Sequence, residues 1–385
     1  MKKIIYLAAL CILLGSLFLF MSGCEQFGGL PSGVLQEKIE NSKNYNLETS
    51  EFVNRRQNIV KEMGKGHSFW SQPMKRLNHN FFFNKNETRP LAPLPEDKGP
   101  YPTDFIKSDQ TIKFIWLGHS TILVSINNKI ILIDPVFSNS ASPLDFFLER
   151  YQAPTLSLKE LPKIDIILIS HDHYDHLDME TIKWFKDKNI KFVLPLGVSS
   201  HLKRWGIDEK KIIELDWWER SVMGDILFVC TPAQHFSGRM GPINDNKSLW
   251  ASWAVKSGNQ SFYFSGDSGY DIHYKNIGDK LGPFDIVFMD SAQYNERWRA
   301  VHNMPDEVIQ GFQDLRGKHL VPVGWGMFTL SLHSWYDPII ESTSRAEKLN
   351  LSIFTPRLGQ VVRLDQENNF EKWWKKIISS AAFSH

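Results

Sequence analysis

The chain has 385 residues, of which 42% are hydrophobic and 23% charged, with a formal net charge of +1. That length accommodates one large domain or two ordinary ones, with a substantial core. Lys and Arg are spread along the sequence, which offers none of the basic surplus that nucleic-acid binding uses.

Lys2 and Lys3 precede the apolar run "IIYLAALCILLGSLFLFM", which ends at Met21 and leads into Ser22-Gly23-Cys24. Small residues directly before a Cys look like a bacterial lipoprotein signal over residues 1–24, with Cys24 acylated as the new N-terminus. The other reading is an uncleaved transmembrane anchor. Either way the lysines hold the N-terminus inside, and an exported, membrane-anchored protein at the periplasmic face or cell surface is expected. Beyond this segment only Cys230 remains of the three cysteines. It sits in "ILFVCT", where a buried small hydrophobe is expected.

Residues 25–105 are polar and irregular and read as a linker and arm. "NHNFFF" (Asn78 to Phe83) is too apolar for a free linker, so the arm is expected to pack on a domain spanning 106–385. From Thr111, "TIKFIWL", "TILVSI" and "KIILID" read as an antiparallel meander. "IDIILIS", the helix-like "METIKWFKDK", "KFVLP", a helix near "SHLKRW", "KIIEL" and "ILFVCT" follow. Next come "WASWAVK", "SFYFS", a helix after Asp271, "FDIVFM" and a helix opened by Pro305. Hairpins early and crossovers later suit a layered α/β sandwich better than a doubly wound sheet.

The strand "IDIILIS" ends in His171, Asp172, His173, Asp175 and His176. Neutral imidazole and carboxylate are what zinc and similar divalent ions take as ligands. The spacing H-x-H-x-D-H lets one turn aim His171 and His173 at one ion, and Asp175 and His176 at another. His235 after "ILFVCT" and Asp267 after "SFYFS" also follow apolar strands, so all can converge on one rim of a sheet.

These motifs resemble the metallo-β-lactamase fold, an αββα sandwich with one or two metals between its sheets. The order of "WLGHST", "ILIDPVFS", "ILISHDHYDHLD", "LPLG", "IELDWWE", "TPAQHFSGR", "NKSLWASW", "SGDSGY" and "GPFDI" further resembles the N-acylphosphatidylethanolamine-hydrolysing phospholipases D and their bacterial relatives. The resemblance implies His171, His173 and His235 as ligands of one zinc. It implies Asp175 and His176 as ligands of a second, with Asp267 bridging. Asp134 and His119 are expected to support the ligands, and His302 to stand near the reacting phosphate, with Asp175 or His302 carrying the proton.

One departure matters. The family's last zinc ligand is the His of "HWG", and here "LVPVGWGMF" puts Gly324 in that place. Glycine has no side-chain donor, and His319 or His333 could substitute only with a reshaped loop, so one tight Zn2+ and a second weakened or absent site are expected. The implied chemistry is metal-activated water attacking a phospholipid phosphodiester, for an enzyme held in the membrane by its lipid anchor. A lactonase or thioesterase on the same fold, or a non-catalytic binding lipoprotein, are the rivals. The C-terminal "FEKWWKKIISSAAF" has an apolar stripe that suits packing on its own domain better than a membrane surface.

Overall fold

The computed structural model describes residues 25–57, 59, 87–98, 103–107, 109, 111–292 and 294–382; the 1–24 segment with Cys24, and Asn78 to Phe83, lie outside them. In the arm, helix α1 (Val34–Glu40) precedes a ribbon of β1 (Tyr45–Asn46) and β2 (Glu51–Phe52). Ile39 and Phe52 are buried with Leu196, Leu249 and Trp250 of the main domain.

Two mixed sheets face each other. In the first, β3 (Lys113–Trp116), β4 (Ile122–Ile126) and β5 (Lys129–Ile133) form the antiparallel meander. β6 (Ile166–Leu168), β7 (Lys191–Pro195) and β8 (Ile212–Leu215) extend it in parallel, joined through α2 (Met179–Trp184) and α3 (Ser199–Arg204). In the second, β9 (Arg220–Met223), β10 (Ile226–Thr231), β11 (Ser252–Ser257) and β12 (Gln260–Phe264) are antiparallel neighbours. β13 (Phe284–Asp290) and β14 (Gly317–Val323) continue that sheet in parallel, accompanied by α4 (His273–Leu281), α5 (Pro305–Asp314) and α6 (Asp337–Lys348). β15 (Val361–Arg363) returns to the free edge of β3, and α7 (Trp374–Ala382) follows it.

Strand periodicity explains the layers, because successive side chains point to opposite faces. In β4, Ile122, Val124 and Ile126 enter the core between the sheets, while Leu123 joins the outer layer under α2 and α3. In β12, Phe262 and Phe264 point inward and Tyr263 outward, onto α4 and α5. Across the interior Phe114 meets Phe288 edge-on, with ring centroids 5.2 Å apart. The result is the expected αββα sandwich, with Cys230 buried and free.

The C-terminal stripe packs on this domain. Trp373 and Trp374 are buried, Trp373 stacks on Trp325 at 5.4 Å, and Phe370, Ile377 and Ile378 pack against the same core. Among the described residues no helix is long and apolar enough to cross a membrane.

Candidate metal centre

The strand order brings the carboxyl ends of β5, β6, β12, β13 and β14 to one rim, where loops of open α/β sheets gather ligands. Asp134 leaves β5, the His171–His176 turn leaves β6, and Asp267 leaves β12. His235 follows β10, while Asp290 closes β13 and Gly324 follows β14.

The three histidines expected at one ion do converge. His171 Nε2 lies 2.9 Å from His173 Nδ1, and His235 Nε2 lies 3.2 Å from the same atom. His235 Nδ1 faces the Val301 carbonyl at 3.0 Å. A carbonyl only accepts, so that nitrogen carries the proton and Nε2 turns its lone pair inward. Burial pushes the His171, His173 and His235 imidazoles down, which keeps them neutral and able to ligate.

The second group gathers beside it. Asp175 Oδ2 and Asp267 Oδ1 lie 3.5 and 3.1 Å from His176 Nε2. That nitrogen is buried and makes no hydrogen bond. His176 Nδ1 donates to Asp134 Oδ2 at 2.7 Å, and Asp134 also accepts from the Ser170 amide at 2.7 Å. Asp134 therefore supports His176 from behind, as expected, an arrangement that fixes ring orientation in metal sites. Burial opposes charge on both Asp175 and Asp267, but His176 and its neighbours outweigh it and hold both carboxyls well below the usual range. Burial likewise opposes charge on His176; Asp267, Asp175 and Asp134 overcome it and raise the imidazole. A cation belongs at this spot, and proton and metal compete for it. Buried neutral imidazoles, ionised carboxylates and an orphaned Nε2 fit a divalent ion.

The remaining residues fall into three roles. Asp172, inside the motif, turns away and accepts from the Gly238 amide and Ser248 Oγ, each at 2.8 Å, and faces His201 Nε2 at 3.1 Å. It braces the ligand-bearing turn. His302 adjoins the cluster, its donor atom within 4.8 Å of those of His235 and Asp267, with Nε2 3.9 Å from Asp267 Oδ2 and Nδ1 3.0 Å from Asp290 Oδ2. His119 Nε2 lies 2.9 Å from Asp175 Oδ2, so it reaches the ligand group itself, closer than the supporting place expected for it. A cleft of about 290 Å³ opens over these groups, lined on its apolar side by Phe236, Trp298, Val301 and Leu330.

Neither substitute weighed for Gly324 reaches the cluster. His319 stacks on Phe354 at 4.5 Å and meets Ser352 Oγ at 2.8 Å. It sits early in β14, five residues before Gly324, and a strand rise of about 3.3 Å per residue carries it some ~16 Å from the rim. His333 stacks on Tyr294 at 4.4 Å and donates through Nδ1 to the Ser334 carbonyl at 2.8 Å. Two contributors escaped the sequence reading. Asp290 ends an apolar strand just as Asp267 follows one, so the same signal applied there finds it. Asn54 gave no signal: it lies in the arm, yet donates to the His235 carbonyl at 2.7 Å and accepts from the His235 amide at 3.1 Å.

Known proteins share this fold. The family model described as "Beta-lactamase superfamily domain" matches residues 129–325. An uncharacterized protein of Mycobacterium tuberculosis is 36% identical over 293 residues, covering 75% of this chain and 77% of that one. N-acyl-phosphatidylethanolamine-hydrolyzing phospholipase D 1 of Caenorhabditis elegans is 35% identical over 276 residues, covering 67% of this chain and 77% of that protein. Among solved structures, Igni18, a metallo hydrolase from the archaeon Ignicoccus hospitalis, superimposes with a TM-score of 0.53 at 18% identity, over 67% of this chain and all (100%) of that one. By its family match and its relatives, the chain belongs to the metallo-β-lactamase superfamily, as a metal-dependent hydrolase with N-acylphosphatidylethanolamine-hydrolysing phospholipases D among its homologues.

Proposed function

We propose that the protein is a zinc-dependent phosphodiesterase of the phospholipase D type, acting on N-acylphosphatidylethanolamine or a related phospholipid. The observation that carries this reading is His302, a partly buried acid group beside the metal-binding donors, with Nε2 3.9 Å from Asp267 Oδ2. Burial alone depresses its imidazole, but Asp290, Asp267 and Asp175 outweigh that and hold it at about 9. It is therefore protonated at neutral pH and placed to give that proton to a departing alkoxide.

A divalent ion held by these donors would supply Lewis acidity towards a phosphoryl oxygen and lower the pKa of water. The chain's own residues do the rest. Asp290 orients His302 through Nδ1 and leaves Nε2 towards the cleft. Asp175, the other candidate proton carrier, has Oδ2 between His119 and His176, so the proton falls to His302. Phe236, Trp298 and Leu330 give the cleft an apolar wall suited to the lipid side of a headgroup. Acylation at Cys24 would keep the enzyme in the membrane that holds its substrate, and Cys24→Ser should release it.

The test is a substrate panel. Purified protein with added zinc should release phosphatidic acid from N-acylphosphatidylethanolamine, and a chelator should stop it. Cleavage of a lactone or a thioester with phospholipids untouched would overturn the reading.

A further inference from the structure

We infer that His119 takes the place of the missing ligand at position 324 and completes a second metal site with Asp175, His176 and Asp267. The inference rests on the metallohydrolase reading above. Its starting point is a backbone pairing: the Gly324 amide donates to the His119 carbonyl at 3.0 Å, and the His119 amide to the Trp325 carbonyl at 3.1 Å. This antiparallel bridge, with His119 opposite Trp325, holds position 119 against the end of β14, and His119 and Gly324 line the same cleft. The His119 imidazole can therefore serve the cleft that a side chain at 324 would have served.

Position 324 is itself closed to a side chain. Its φ is +84°, in the left-handed region that favours glycine, and a Cβ there would meet the Ala292 Cβ at 2.9 Å. Position 119 has the opposite character. His119 adopts φ 49°, an unfavourable conformation costing about 1–2 kcal/mol, and is pinned there by the bridge and by the Trp116 indole, which donates to its carbonyl at 2.8 Å. Strained backbone held by its surroundings clusters at functional sites.

The imidazole is 2% exposed and reaches the cluster through Nε2 alone, because its buried Nδ1 has no hydrogen-bond partner. The donor atoms of His119, Asp175 and His176 all lie within 4.8 Å of one another. Ligand atoms around one tetrahedral zinc lie about 3.4 Å apart, given bonds of 2.0–2.2 Å. The separations of 2.9 Å (His119 to Asp175) and 3.5 Å (Asp175 to His176) match that spacing, and Asp267 Oδ1 adjoins the trio at 3.1 Å from His176 Nε2. His119 thus restores the ligand count that the sequence, read linearly, leaves one short.

Metal counting tests this without relying on turnover. The full chain, loaded with Co2+ or Zn2+ and dialysed, should retain two ions. His119→Ala should retain one and weaken the second by more than the roughly 10–100-fold that losing a supporting residue costs. His119→Gln, which can still donate to Asp175 but does not replace an imidazole ligand, should also retain one, with the visible bands of its Co2+ form reduced accordingly. Two tightly held ions in His119→Gln would overturn the inference and reduce His119 to a positioning residue. One ion in the unmodified chain would overturn it while leaving the hydrolase reading intact; no ion at all would overturn both.

Discussion

His302 pairs with the buried Asp290, Nδ1 to Oδ2 at 3.0 Å, and Asp290 also accepts from the Ser268 amide at 3.1 Å. The acid is anchored by the backbone of the Asp267 loop, so the loop carrying the shared carboxylate also fixes the proton donor. His302→Asn should lower kcat by about 100- to 10,000-fold while the metal content stays that of the parent. Asp290→Asn removes the charge that holds the imidazole at about 9. In the proposed mechanism the protonated form is the active one, so the alkaline fall in rate should begin roughly 1–3 pH units lower in this variant. A pH–rate profile reads both effects.

Asn54 closes the backbone of His235 from outside the domain that bears it. Asn54→Ala leaves a buried amide and a buried carbonyl of His235 unpaired, each worth about 1–3 kcal/mol. Denaturant unfolding should show a loss on the order of 2–4 kcal/mol, and the three-histidine site should bind metal more weakly. An unchanged midpoint and unchanged affinity would mean that the arm only lies against the site.

Acid stability depends on a group away from the metal. Burial pushes the His273 imidazole down from 6.5 to about 3, with Ser268 Oγ 3.3 Å from its Nε2. Between those pH values the unfolded chain binds a proton that the folded chain refuses. Stability is therefore complete above 6.5 and is lost as pH falls towards 3, by up to about 1.4 kcal/mol per pH unit. His273→Gln should flatten that slope in unfolding measurements made across the window.

The parts legible in the sequence are those written locally. Apolar runs ending in an ionisable residue gave the strand ends of Asp134, His171 and Asp267, because a strand's own periodicity determines which face it buries and where it reaches the rim. The sandwich followed from the early hairpins and later crossovers. The relation between His119 and Gly324 was not legible, since it depends on the register between the β3–β4 turn and the end of β14, which no local pattern encodes. Proximity in sequence pointed to His319 and His333 instead, but the rise of β14 carries His319 away from the rim and His333 turns to Tyr294. Asn54 was hidden for a related reason: a lone Asn in a polar arm carries no sign of the backbone it will cap.

The central claim is that water activated at this cluster attacks phosphorus, with His302 protonating the alcohol that leaves. Hydrolysis of N-acylphosphatidylethanolamine by the zinc-loaded protein in water enriched in heavy oxygen, followed by mass spectrometry of both products, tests it most directly. The heavy oxygen should appear in the phosphate of phosphatidic acid and be absent from the released N-acylethanolamine. Label in the alcohol, or phospholipid left intact by protein that holds its metal, would contradict the account.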